Sequence, residues 1–196
     1  MTVLFLIVAR GGSKRVPGKN LREIHGVSLV GYKCLAATHA QSCSLCIIST
    51  DSPPIADVAR QYGVVVPFIR PAELATDTAT TEDVVRHAMA WAEDGERVYD
   101  AIMLLEPSSP FVRPSDYDAA VELMIATEVP FVFGEVLYLF RWDYLKTRVD
   151  LYDQLERMAY YPMPAGQAID IDTLQDLRQA ERLAEKGLVD LSWAPL

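Results

Sequence analysis

A chain of 196 residues with 51% hydrophobic and 23% charged residues carries enough apolar material to bury a core as one domain, and its balance is not that of a disordered chain. Its formal net charge of -9 excludes a nucleic-acid binder built on a broad basic face, so any anion it binds must meet locally concentrated cations. Three cysteines, Cys34, Cys43 and Cys46, are too few for a disulfide framework, and no apolar run reaches the roughly 18–20 residues of a spanning helix, so a cytoplasmic setting is expected.

Residues 3–9 form a continuous apolar run rich in β-branched and aliphatic side chains, as a strand buried on both faces requires. Turn residues follow at Gly11, Gly12, Pro17 and Gly18. Residues 29–40 then read as a helix and 45–50 as a second strand ending at Asp51. Pro53 and Pro54 suit the first turn of a helix over 55–62. Residues 64–69 read as a third strand, followed by a polar loop over 70–80. Thr80 or Thr81 could cap the helix that runs to about Glu93. A buried strand is expected over 101–105, a helix over 114–126, one strand over 132–141 and a periodic helix over 173–186. Strands alternating with helices at this spacing predict an α/β fold with a parallel sheet covered on both faces. Ligands in such sheets collect in the loops beyond the carboxyl ends of the strands.

The loop after the first strand carries the clearest chemistry. Residues 9–21 read A-R-G-G-S-K-R-V-P-G-K-N-L, placing Arg10, Lys14, Arg15 and Lys19 within ten positions of an otherwise acidic chain. Gly11 and Gly12 permit a tight turn with N–H groups bared to a ligand, and Ser13 adds a hydroxyl. Arginine offers forked donors to phosphate oxygens and lysine a compact charge, so the loop reads as a triphosphate cradle. Its spacing fits neither the G-x-x-x-x-G-K-[ST] loop nor G-x-G-x-x-G.

Near the end, Asp170 and Asp172 are separated by one residue, which in extended backbone turns both carboxylates the same way. Such a pair suits a magnesium ion whose shell phosphate oxygens complete, while capping of the last helix is the other use for Asp172. Arg70 suits a grip on a nucleotide or a surface ion pair with Glu73 or Asp77. Thr80 and Thr81 could contact cytidine or cap the helix. Cys43 and Cys46 form a C-x-x-C spacing with no second pair, which gives a zinc or redox reading little support.

The string at 9–21 resembles the signature of the acylneuraminate cytidylyltransferases, which make CMP-sialic acids and their bacterial relatives. The resemblance continues in order through R-P-A-E-L-A-T-D-T-A at 70–79, L-L-E-P-S-S-P-F-V-R at 104–113 and I-D-I-D-T-L-Q-D-L at 169–177. It implies a single cytidylyltransferase domain over 1–196, a Rossmann-like three-layer sandwich of the nucleotide-diphospho-sugar transferase type, usually dimeric. It also implies a reaction between CTP and a nonulosonic, sialic-acid-like sugar that yields a CMP-sugar and pyrophosphate. On this reading Arg10 and Lys19 are the catalytic cations. Ala9, Gly11, Gly12, Ser13, Lys14, Asn20, Arg70, Thr80 and Thr81 complete the nucleotide side, and Asp170 and Asp172 hold Mg2+.

Glu106, Ser108 and Tyr138 fall on the sugar side, which departs from the family. Glu106 stands where glutamine is usual, and Gly134 where asparagine is. The segment 127–145 is short where a dimerisation arm is expected, either as a compact variant with an altered acceptor site or because a segment is missing. Two other readings stay open: a sugar-1-phosphate nucleotidyltransferase, and a CTP-binding regulatory homologue.

Overall fold

The computed structural model describes residues 1–147, 157–164 and 166–194. Its central sheet has six strands: β1 (Val3–Val8), β4 (Cys43–Ser49), β5 (Ala101–Leu105), β6 (Phe131–Phe133), β7 (Tyr138–Arg141) and β8 (Met158–Tyr160). They lie in the order β4-β1-β5-β7-β6-β8, with β1 parallel to both β4 and β5 and β7 running antiparallel to its neighbours. A small hairpin, β2 (Glu23–Ile24) with β3 (Val27–Ser28), turns through His25 and Gly26.

The alternation along β1 explains the layers. Val3, Phe5 and Ile7 pack with α1 (Leu29–His39), α2 (Pro53–Gln61) and α4 (Pro114–Thr127) on one face. Leu4 and Leu6 pack with α3 (Thr81–Asp94) and α5 (Trp142–Thr147) on the other. Every residue of β5 is buried, as a central strand covered on both sides requires. Outside α1, the amphipathic α6 (Leu174–Glu185) docks Leu177, Ala180 and Ala184 against Tyr32, Phe111 and the hairpin. The mostly parallel, doubly covered sheet agrees with the predicted fold class.

Two strand expectations are corrected. Residues 64–69 do not form a regular strand. Val65 makes a single parallel bridge to Ile47 at the open edge of β4, and Pro67 supplies no N–H to continue the ladder. The predicted strand over 132–141 is a hairpin of β6 and β7. It turns after Gly134, whose N–H donates to the Leu137 carbonyl at 2.8 Å. A Cβ on Gly134 would stand 2.8 Å from the Tyr161 carbonyl, so this close approach requires glycine. The short strand β8 was not foreseen.

Candidate active site

At the carboxyl end of β1, the Ala9 N–H donates to the Ser49 carbonyl at 3.1 Å, and the chain then turns across the end of β4. The Gly11 N–H donates to Asp51 Oδ1 at 2.8 Å, and a Cβ on Gly11 would lie 3.0 Å from the Ser52 Cβ. Gly11 therefore serves the loop's seat on β4, and its N–H is committed to Asp51 rather than bared to a ligand. The Ala9 N–H is committed likewise. Open space surrounds Gly12 where a Cβ would be, which leaves its backbone the approachable one. Asn20, buried beneath the loop, donates through Nδ2 to the Arg10 carbonyl at 2.9 Å and fixes the loop's path.

This loop forms one wall of a cleft of about 460 Å3. Arg10, Ser13, Lys14, Arg15, Lys19 and Asn20 line it from the loop, with Arg70, Thr80, Thr81, Glu106, Ser108 and Asp172 among its other lining residues. Of the expected nucleotide residues, all but Ala9, Gly11 and Gly12 line this cavity, and one of the two terminal aspartates lines it with them. Its electrostatics are organised by two carboxylates. Asp77 pairs with Arg10 at 2.9 Å and also with Lys14. Hydrogen bonds from Lys14 and then Arg10 hold the Asp77 carboxyl below the usual range. Asp172 pairs with Arg15 at 3.0 Å and Lys19 at 3.2 Å. Lys19 also donates to the Ile171 carbonyl at 2.8 Å, tying the first loop to the last segment across most of the chain.

Of the two readings of Arg70, the surface pair with Glu73 or Asp77 is not formed. Arg70 is 4% exposed, and its Nε donates to Ser49 Oγ at 3.0 Å while a second guanidinium nitrogen donates to the Ser49 carbonyl. Burial pushes the guanidinium down to about 10, against the pull of Asp51. Thr80 caps α3: its hydroxyl accepts from the Asp83 N–H at 3.2 Å and donates to Asp83 Oδ2 at 2.9 Å. That leaves Thr81, in the first turn, as the freer hydroxyl. Ser108 receives the Ile171 N–H on its carbonyl at 2.7 Å, and Ser109 donates through Oγ to the Glu106 carbonyl at 3.0 Å. Both serines therefore help to build the turn.

Glu106 leaves the end of β5 and lines the cleft. Burial and then Asp170 push its carboxyl above the usual range, and Lys33 and Lys19 pull it back. Tyr138, the first residue of β7, lies in the fields of Glu106 and Asp170, and burial followed by those charges raises its phenol. Glu106 and Tyr138, two of the three residues expected on the sugar side, thus lie in each other's and Asp170's fields, although Tyr138 and Asp170 do not line the cavity itself.

Asp170 is exposed and Asp172 half-buried, two residues apart ahead of α6, whose cap is Thr173 with Asp176. Capping therefore falls to Thr173, and Asp172 is left for the cleft. Among the described residues no group of three or more His, Cys, Asp or Glu side chains could close around an ion. Asp172 lines the cleft and Asp170 lies two residues before it, outside the lining, so one hard carboxylate at the cleft and a second nearby along the chain are the ligands that this end offers a magnesium ion, whose shell substrate oxygens and water would complete. Cys43 and Cys46 both lie in β4, far along the chain from these groups.

Lys33 and Asp51 went unassigned in the sequence. A lysine inside the apolar stretch 29–37 was the available signal for the first, and an aspartate closing a buried strand for the second.

Residues 4–157 match the cytidylyltransferase family profile, and the chain belongs to that family. It is similar to the CMP-N,N'-diacetyllegionaminic acid synthase of Legionella pneumophila, 42% identical over 123 residues, covering 63% of this chain and 53% of the relative. It is also similar to the pseudaminic acid cytidylyltransferase of Campylobacter jejuni, 32% identical over 134 residues, covering 68% of this chain and 58% of that one. The chain thus spans about half the length of these curated relatives. In fold it resembles a CMP:2-keto-3-deoxy-manno-octonic acid synthetase solved with CTP. That likeness has a TM-score of 0.75 at 16% identity and covers 95% of this chain and 100% of the other. No described helix is long and apolar enough to cross a membrane.

Proposed function

We propose that this protein joins CTP to a nonulosonic sugar acid, releasing pyrophosphate and forming a CMP-sugar. The observation that carries the reading is the convergence of Arg10, Lys14, Arg15 and Lys19 on one cleft, with Asp172 lining it against Arg15 and Lys19. The names of its relatives, which act on legionaminic and pseudaminic acids, support the acceptor class.

The chemistry follows from charge and position. The sugar's anomeric hydroxyl attacks the α-phosphorus in line; as the new P–O bond forms, its proton passes to solvent, the bond from the α-phosphorus to the oxygen it shares with the β-phosphorus breaks, and pyrophosphate leaves with that oxygen. Arg10 and Lys19 neutralise charge on the phosphates as it redistributes, and Lys14 and Arg15 hold the outer phosphates. The Gly12 N–H and the Ser13 hydroxyl orient the nucleotide, and Thr81 faces it across the cleft. Arg70 acts from behind, fixing the end of β4 under the loop through Ser49. Asp170 and Asp172 would hold Mg2+, which when bound offsets charge on the departing pyrophosphate. Glu106, Ser108 and Tyr138 form the acceptor side. We further propose that the working unit is a homodimer, testable by sedimentation, and that it acts in the cytoplasm, where CTP is available.

Pyrophosphate release from CTP, assayed with Mg2+ against a panel of nonulosonic acids, tests the reading. Turnover with at least one acid is expected. Silence with every acid, alongside intact CTP binding, would replace the enzyme with a CTP-binding homologue.

A further inference from the structure

The acceptor side of the cleft is drawn from two separate pieces of chain. Glu106 and Ser108 stand on the turn that leaves β5, and Tyr138 opens β7 behind the tip of the β6–β7 hairpin. β5 and β7 pair antiparallel, and their ladder stops at Leu104 opposite Tyr138, where the turn and the hairpin tip both leave the sheet.

The segment after β8 wraps the back of that tip. The Tyr161 N–H donates to the Phe133 carbonyl at 2.8 Å, and the Tyr161 carbonyl is the atom that a Cβ on Gly134 would meet at 2.8 Å. Glu135 closes the tip on the same segment, accepting from the Tyr160 hydroxyl and from the Met163 N–H at 3.2 Å. Residues 160–163 therefore carry the hairpin tip with them. They are anchored to α4, where the Tyr161 hydroxyl donates to Asp116 Oδ1 at 3.0 Å.

Asp116 is fully buried, and it also receives the Arg113 N–H at 2.9 Å, Arg113 Nε at 3.0 Å and a second guanidinium nitrogen at 2.8 Å. Arg113 closes the turn that carries Glu106 and Ser108. One carboxylate thus takes a donor from each piece of the acceptor side. Burial and then the Asp116 charge push the Tyr161 phenol up to about 12, so it keeps the proton that it donates across the neutral range. A charge-assisted hydrogen bond is directional as well as strong, which suits it to fixing a distance.

We propose that Tyr161 is a positioning residue for the acceptor. Through its bond to Asp116 it holds the hairpin bearing Tyr138 against the turn bearing Glu106 and Ser108, and so sets the width of the acceptor end. The proposal rests on the acceptor reading given above. Neither Tyr161 nor Asp116 lines the cleft that takes the nucleotide, so the effect belongs to the sugar alone.

The test is Tyr161→Phe in the full chain, which removes the hydroxyl and keeps the ring. Acceptor KM should rise by about tenfold, with CTP KM within about twofold of the wild type. Amides of residues 131–138 should exchange with solvent about tenfold faster, while those of residues 10–20 keep their wild-type rates. Gly134→Ala, which forces the same joint apart with the hydroxyl intact, should give the same acceptor-only defect, and it decides by the same readouts if Tyr161→Phe does not fold. A merely structural role would raise both KM values together or neither. Either result, or unchanged exchange over residues 131–138, would overturn the proposal. If the wild type turns over no acid, the acceptor reading fails, and hydrogen exchange alone decides whether Tyr161 holds the hairpin.

Discussion

Arg10 and Asp77 meet at 2.9 Å across the mouth of the cleft, and Lys14 closes on the same carboxylate. A second carboxylate, Asp172, takes Arg15 and Lys19. All four cations of the loop are therefore engaged with protein carboxylates before any nucleotide arrives. These partners hold the cations on the cleft wall, and phosphates must exchange with them. Asp77 is well exposed, so its part of that exchange is weak and screened by salt.

Asp77→Asn is accordingly expected to tighten CTP binding by about two- to fivefold at low salt, with the gain shrinking as ionic strength rises. Calorimetric titration at two salt concentrations reads both effects. Weaker binding by the variant would mean that Asp77 organises the loop for CTP rather than competing with it.

Lys19 and Arg15 share Asp172, yet they should differ in consequence. Lys19 is the more enclosed, at 16% side-chain exposure against 69%, and it alone also donates to the Ile171 carbonyl. Preorganised charge in an enclosed site stabilises a transition state far more than a mobile surface charge does. Lys19→Met should lower kcat/KM by about 100-fold, and Arg15→Met by less than about tenfold. Steady-state pyrophosphate release gives the comparison, and equal losses would sink the ranking.

Divalent metal should be needed for turnover, and chelation should stop it reversibly. Asp170→Asn and Asp172→Asn should each shift the Mg2+ titration to higher concentration while CTP affinity in the absence of metal changes little. An unshifted titration would remove these two carboxylates from the metal site.

Asp116 gives a stability prediction independent of function. Its side chain has no solvent exposure and receives Arg113 through backbone and guanidinium as well as the Tyr161 hydroxyl. Removing one partner of a buried ion pair costs about 3–5 kcal/mol, here at the lower end because Arg113 is partly exposed. Asp116→Ala should lose about 3 kcal/mol in urea unfolding. A loss below about 1 kcal/mol would show the network to be dispensable.

How much of this was legible in the sequence depended on whether the signal was local. The strand β1, the helix α3 and the Arg10–Lys19 loop announce themselves through aliphatic runs, a threonine cap and clustered cations. The edge segment 64–69 misleads because its valines predict a strand, while Pro67 and the lack of an outer partner prevent one. The hairpin at Gly134 looked like one strand because the contact that requires glycine comes from Tyr161, far along the chain. Similarly, nothing local tells that the Gly11 N–H belongs to Asp51 or that Arg70 turns inward to Ser49. Those partners are chosen by the packing of the loop on β4.

Lys33 supplies a pH dependence with a sign that can be worked out. Burial lowers its ammonium from 10.5 to about 7, although Glu106, Asp116 and Asp170 oppose the shift. Those three and the Tyr117 hydroxyl are the titratable groups that face it. Between the two values the unfolded chain binds the proton more than the folded chain does, so stability rises with pH across that window. Below about pH 7 both states hold the proton, and the cost of burying the charge is felt in full. The thiols act in the opposite sense. Burial pushes Cys34 up to about 12 and raises Cys46 as well, so above the ordinary thiol value of 9.0 the unfolded chain releases protons that the fold retains. Stability should therefore climb from about pH 7, level near pH 9 and then fall. Lys33→Met should flatten the climb and leave the fall in place. Urea unfolding of both proteins at intervals between about pH 6 and about pH 10 measures this, and a climb that survives the substitution would assign it to another group.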